Sequence, residues 1–223
     1  MNINQLIIQE VLRYINVPYM KAEDELKQQI EMLYEKLEQS VRAKHTYKLV
    51  NVQIQENEVL FLDTTLRIKS KDLAGLLKHA NQCFILAVTL GIEADQMIHK
   101  AQKINMSDAV ILDACASVLV EKVCDDIEST IMKTLNENEF LTMRYSPGYG
   151  DVSIEVQSEL IDILQTAKAI GLTVSKSYML LPTKSITAFI GISTKKENRQ
   201  KSCSRCNLKE SCIYRKRGDK CGT

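Results

Sequence analysis

The sequence has no tryptophan, three prolines, eight glycines and an aromatic content of 5%. No apolar run approaches the roughly 18 residues needed to cross a bilayer, and the opening Met1-Asn2-Ile3-Asn4-Gln5 sets no basic segment before an apolar one. A cytoplasmic protein with no membrane segment is therefore expected. The few glycines are not arranged to cradle phosphate: Gly148 and Gly150 complete neither glycine-rich fingerprint, and no Gly-Lys-Ser or Gly-Lys-Thr follows a strand pattern. Nucleoside triphosphate chemistry is excluded on that ground. The three histidines, His45, His79 and His99, stand at no spacing that suggests a metal site. Repeats and low-complexity segments are absent.

What remains is a chain of 223 residues, 45% hydrophobic, long enough for one large domain or two small ones with a real core. Its net charge of +1 is unevenly spread. Residues 195–221 carry ten Lys or Arg against three acids, leaving about −6 on the rest, so 1–194 and 195–223 read as separate units. The basic tail has Tyr214 as its lone aromatic and so lacks stacking platforms; no nucleic-acid partner is expected.

Seven cysteines, an odd number, argue against a disulfide framework. Cys83, Cys115 and Cys124 lie in apolar or helical patterns and read as small buried hydrophobes. Cys203, Cys206, Cys212 and Cys221 form C-x2-C-x5-C-x8-C among basic side chains, which offset the charge of a thiolate site and invite a soft metal. A zinc ribbon normally has two C-x2-C knuckles and this tail has one; C-x2-C-x5-C is nearer to auxiliary iron-sulfur domains. An iron-sulfur cluster is the leading reading, with zinc and free or redox-paired thiols as alternatives.

Helical periodicity runs through 3–14 and 22–43, short β-rich runs through 47–54, 58–62 and 65–68, and a short helix through 70–79 with Ser70 as its cap. The unbroken apolar run Cys83-Phe84-Ile85-Leu86-Ala87-Val88 predicts a strand buried on both faces, or a buried helical turn. Gly91 opens a helix to about Lys103, Ser107 caps a longer one over 108–135, and an amphipathic helix around 156–164 ends near Gly171. Segments 173–181 and 185–193 read as strands joined around Pro182 in a hairpin-like pair. Grouped helices and strands predict α+β: a mostly antiparallel twisted sheet with flanking helices.

Between two helical segments stands Arg144-Tyr145-Ser146-Pro147-Gly148-Tyr149. Pro147 stiffens the turn and Gly148 permits close approach of a ligand; Arg144 offers a fork for a carboxylate, and Tyr149 a flat face with a hydroxyl. The other reading is a plain helix-to-helix turn with a solvated arginine.

At this turn the chain resembles the activation domain of vitamin B12-dependent methionine synthase, in its short free-standing form. The resemblance takes in residues 112–123, the helix around Glu159, Gly171 to Pro182, Ser185 to Ser193, and Ala87-Val88-Thr89-Leu90-Gly91. It implies a C-shaped domain that binds S-adenosylmethionine and docks on a partner carrying cobalamin, a methionine synthase lacking its own activation domain. The activity implied is reductive methylation of cob(II)alamin, with no turnover by this chain alone and with flavodoxin or ferredoxin as electron donor. Arg144 would pair with the ligand carboxylate. Ser146, Pro147 and Gly148 would contribute backbone contacts, and Tyr149 would meet the ligand or the cobalamin face. Glu121 would orient Arg144 or accept the ammonium group, against the plainer reading of a solvated helix glutamate paired with a lysine. Two departures stand out. The tyrosines that the fused form carries after its last strand are replaced by Thr194-Lys195-Lys196 and the cysteine tail, and no carboxylate from the N-terminal third can be assigned. A cluster in the tail would suit delivery of a low-potential electron. The alternatives are an activator of another corrinoid methyltransferase, or a metal- or redox-responsive interaction module in which the turn is scaffold.

Overall fold

The structure is a computed structural model that describes residues 3–196. In chain order, helices α1 (Ile3–Tyr14) and α2 (Asp24–Ser40) precede strands β1 (Lys44–Gln55), β2 (Glu58–Phe61) and β3 (Arg67–Lys69). Helix α3 (Lys71–Leu77), strand β4 (Ala80–Thr89) and helices α4 (Ile92–Ile104) and α5 (Met106–Met132) follow. The last part holds β5 (Phe140–Leu141), α6 (Val156–Leu164), α7 (Thr166–Ala169), β6 (Thr173–Val174), β7 (Leu180–Leu181) and β8 (Ser185–Ser193). Six strands form one sheet in the order β3-β2-β1-β4-β8-β5, and β6 and β7 form a separate ribbon; every pairing is antiparallel. The expected α+β class and antiparallel sheet are thus observed.

Strand β4 is the structural centre, and its apolar run is a strand rather than a helical turn. Alternate side chains of a strand point to opposite faces, so both faces of this one must be covered. Phe84, Leu86 and Val88 pack with α1, α2, α4 and α5, including Leu12, Ile30, Leu37, Ala94 and Leu119. Cys83, Ile85 and Ala87 pack on the other side with Leu73 and Leu77 of α3, Leu160 and Leu164 of α6, and Phe189 of β8. The result is a helix, sheet, helix sandwich whose two cores share strands β4 and β8. The three buried thiols, Cys83, Cys115 and Cys124, belong to these cores, and burial pushes each up to about 12, so they behave as hydrophobes as expected.

Local chemistry sets the boundaries. Ser70 caps α3 as predicted, its Oγ accepting from Leu73 N at 2.9 Å. Helix α5 starts earlier than predicted: the side chain of Asn105, not Ser107, is the cap, Oδ1 accepting from Ser107 N at 3.0 Å. The predicted strand over 173–181 is instead a tight hairpin of β6 and β7. Ser175 closes it, donating its N–H to Met179 O at 2.8 Å and accepting from Met179 N at its Oγ at 3.0 Å. The predicted pairing of that segment with β8 does not form; β8 lies between β4 and β5. Among the described residues, no helix is long and apolar enough to cross a membrane.

Candidate functional site

The site begins with an irregularity at the sheet edge. Leu141 stands opposite Ile192 and Tyr145 opposite Phe189, so four steps along this edge match three along β8. One residue is therefore extra, as in a β-bulge. Leu141 and Ile192 belong to the α5 core, whereas Phe189 belongs to the α3/α6 core and Tyr145 packs on that same core. Without the extra residue, Arg144 would stand opposite Phe189 and face α3 and α6. With it, Arg144 turns towards α5. The strand is held on both sides of the bulge. Tyr145 N donates to Phe189 O at 3.0 Å, Phe189 N donates to Tyr145 O at 2.8 Å, and Gly191 N donates to Thr142 Oγ1 at 2.9 Å. Gly191 lets the neighbouring elements approach closely here: a Cβ would lie 2.5 Å from Leu77 Cδ2 and 3.1 Å from Ala80 Cβ and Thr142 Cγ2.

Facing Arg144, helix α5 presents Glu121, Asp125 and Glu128, at i, i+4 and i+7 on one face. The guanidinium reaches all three. Nη2 donates to Glu121 Oε2 at 2.7 Å, and Nη1 donates to Asp125 Oδ1 at 2.7 Å and to Glu128 Oε1. Side-chain exposure grades outward, from 5% for Glu128 through 16% for Arg144 and 40% for Glu121 to 69% for Asp125. Burial disfavours the charge on Arg144, but the Glu128 carboxylate and its neighbours outweigh that cost and raise its pKa. Three carboxylates against one cation leave an excess of two negative charges, most of it at the exposed end.

The turn after Arg144 is tightly closed. Gly148 N donates to Val152 O at 2.9 Å, Val152 N to Tyr149 O at 3.1 Å and Tyr149 N to Ser146 O at 3.2 Å. Gly148 and Gly150 have φ of +87° and +52°, in the left-handed region. A Cβ on Gly150 would fall on the Tyr145 hydroxyl and the Asp72 carboxylate. The Tyr145 hydroxyl donates to Tyr149 O at 3.1 Å, and burial together with Asp72 pushes its pKa up to about 12. Asp151, at the end of the turn, accepts from the Ser70 hydroxyl and, at 2.7 Å, from Lys71 N, which ties the turn to the start of α3. Pro147 is buried beneath the turn, Ser146 is half-buried, and Gly148 is exposed. Tyr149 is 68% exposed.

The structure thus brings Glu121 and Arg144 into direct contact and leaves Tyr149 exposed on the turn that follows. Asp125 and Glu128 were not foreseen; their spacing of four and seven residues from Glu121 was the available signal. Tyr14, at the end of α1, also escaped notice: burial, and then the Glu121 carboxylate, raise its pKa, and Tyr149 contributes to the same shift. Among the described residues no group of three or more His, Cys, Asp or Glu is arranged to hold a metal ion. Cys203, Cys206, Cys212 and Cys221 lie outside the described residues.

Residues 71–217 match the family described as vitamin B12 dependent methionine synthase, activation domain. The chain belongs to that family. The matched segment encloses Glu121, Asp125, Glu128 and the whole turn. The fold of this activation-domain chain is similar to that in the crystal structure of the MetH reactivation domain bound to AdoHcy. The TM-score is 0.60 at 12% identity, over 95% of this chain and 83% of that one. No curated protein matches the sequence.

Proposed function

We propose that this activation-domain chain binds S-adenosylmethionine at the Arg144 cluster and supports reductive methylation of cob(II)alamin on a cobalamin-dependent methionine synthase that lacks its own activation domain. The observation that carries the reading is the family match over 71–217, which encloses both halves of the cluster. The donor set suits the ligand. S-adenosylmethionine carries an ammonium, a sulfonium and a carboxylate, one net positive charge, and the cluster has negative charge in excess.

Three N–H groups of Arg144 serve the carboxylates of α5, so the remaining two of its five take the ligand carboxylate. Glu128 and Asp125 keep the guanidinium in place, and the exposed edges of Glu121 and Asp125 accept the ammonium. The turn backbone at Ser146, Pro147 and Gly148 walls the ligand; Gly148 N–H is already bound to Val152 O and Ser146 O to Tyr149 N–H, which leaves the Pro147 and Gly148 carbonyls for contact. The exposed Tyr149 ring faces the ligand or the cobalamin of the partner. When bound, S-adenosylmethionine supplies the methyl group that the cobalt of the partner accepts; this chain's part is to orient and shield it.

For the tail, Cys203, Cys206, Cys212 and Cys221 hold an iron-sulfur cluster that relays a low-potential electron from a flavodoxin or ferredoxin. Anaerobic purification followed by iron and zinc analysis and EPR tests this, and stoichiometric zinc without iron rejects it. The function itself is tested by reactivation of cob(II)alamin-bound methionine synthase with reductant and S-adenosylmethionine supplied. Recovery of activity that depends on this chain is expected; equal recovery without it refutes the proposal.

A further inference from the structure

Strand β1 is twelve residues long and β2 only four, so β2 pairs with it over 52–55 alone. On its other side β1 pairs with β4 over 44–51. The stretch 44–50 therefore has an edge, roughly 24 Å long, that no described strand covers. Asn51 shows which backbone groups face that way. Its carbonyl accepts from Leu62 N at 2.9 Å and its N–H donates to Asp63 Oδ2 at 2.8 Å, both on the side of β2. Direction alternates along an antiparallel strand, so His45, Tyr47 and Leu49 turn their N–H and C=O the same way, and no hydrogen bond among the described residues fills them. Their side chains share the face that the helical layer covers further in: the Tyr47 ring meets Phe84 edge-on at 5.6 Å, and His45 stacks on Tyr47 at 6.2 Å. The helices do not cover them, and Tyr47 and Leu49 are 48% and 42% exposed. On the opposite face stand Lys44 and Lys48, both exposed. With Arg42 they make 41–55 a stretch without a single Asp or Glu, in a body that carries about −6 outside the tail. None of these three cations forms an ion pair among the described residues.

We infer that the free edge of β1 takes up an extended acidic segment of a partner protein as an added antiparallel strand. The backbone of His45, Tyr47 and Leu49 supplies the ladder, and the side chains on the two faces select what joins it. Opposite His45, Tyr47 and Leu49 the incoming strand needs apolar residues; opposite Lys44 and Lys48 it needs carboxylates. The matching segment thus alternates acid with apolar residue. Charge decides against the nearer occupants. A second copy paired about Tyr47 would line up Arg42, Lys44 and Lys48 of both chains along one ribbon, and like charges at a sheet edge oppose that pairing. The tail of this chain, with ten Lys or Arg against three acids over 195–221, is repelled in the same way. The lysines that keep like strands off the edge are the ones that admit an acidic strand. This surface is separate from the Arg144 cluster and does not depend on what that cluster binds.

Fluorescence anisotropy with a labelled heptapeptide of alternating glutamate and valine, blocked at both ends and with glutamate at each terminus, tests the assignment. Saturable binding to the full chain is expected, weakening as salt rises. The same peptide with lysine in place of glutamate should bind at least tenfold more weakly. In an antiparallel ladder the valine N–H groups point at β1 and the glutamate N–H groups point away, so N-methylation of the valines should abolish binding while N-methylation of the inner glutamates should leave it within threefold. Lys48→Glu should weaken the acidic peptide at least fivefold. Tyr47→Pro removes an outward N–H without touching the β4 ladder and should weaken it at least tenfold; a melting curve for each variant separates lost binding from lost fold. Absence of saturable binding by the acidic peptide, or equal binding of the acidic and lysine peptides, overturns the proposal. So does indifference to the position of the N-methyl groups, a result obtained on the wild-type protein. Tighter binding of oligothymidylate than of the acidic peptide would replace it with a nucleic-acid surface, and a dimer in sedimentation that Tyr47→Pro dissociates would replace it with self-pairing.

Discussion

Replacing Arg144 by methionine keeps most of the side-chain length and removes the charge, so the partner most affected is Glu128, whose side chain is only 5% exposed. Glu121 and Asp125 stay solvated, at 40% and 69%, and lose little. Removing one partner of a buried ion pair costs about 3–5 kcal/mol. In a domain of this size each kcal/mol moves the melting temperature by about 2–4 °C, so Arg144→Met should melt roughly 6–20 °C below the wild type. Removing both charges is different: in Arg144→Met with Glu128→Leu neither charge of the pair remains, and most of the lost stability should return. Ligand binding should not return with it, because the second substitution restores no donor for the ligand carboxylate. Thermal melts followed by circular dichroism at neutral pH and low salt, paired with S-adenosylmethionine titrations, read both quantities. An Arg144→Met protein melting within about 2 °C of the wild type would refute the premise that Glu128 depends on this cation.

Asp151 and Gly150 give two further expectations. Burial tends to raise the Asp151 pKa, but its hydrogen bonds from Ser70, Lys71 and Asp72 prevail and hold it below its ordinary 3.8. Its stabilising effect is therefore fully present above that value and lost as pH falls through the lower folded value; urea unfolding of wild type and Asp151→Asn should differ at pH 7 and converge towards pH 2. A constant difference across that range would exclude the ionised carboxylate as the source. Gly150→Ala places a Cβ on the Tyr145 hydroxyl at a left-handed φ of +52° and should destabilise by at least about 1–2 kcal/mol. An unchanged denaturation midpoint would count against the turn geometry.

How much of this could be read from residues alone follows from the range of the forces involved. Strand β4 was legible because an unbroken apolar run has few places to go other than between two layers. The Ser70 cap was legible because capping acts over three residues. The segment 173–181 misled because its β-formers suggest one strand, while Ser175 hydrogen-bonds to Met179 and folds the segment on itself. Similarly, Asn105 outcompetes Ser107 as the cap of α5, a choice between two good cap residues that spacing does not decide. Arg144 was singled out by the composition of its turn, whereas Glu121 and the roles of both came from the family resemblance, not from periodicity. Asp125 and Glu128 look like ordinary helix-surface acids, and their partner approaches from a strand 16 and 19 residues away whose register carries one unpredicted extra residue.

That extra residue separates the chemistry of the site from the architecture that carries it. The core strands β4 and β8 hold their register whichever way the edge beside β8 is aligned, so a single-residue insertion or deletion between β5 and Arg144 would hand the guanidinium from one helical layer to the other. The cation is thus an attachment at the margin, adjustable in one discrete step. Removing Met143 would retire the Arg144 cluster while the two hydrophobic cores kept the residues that build them.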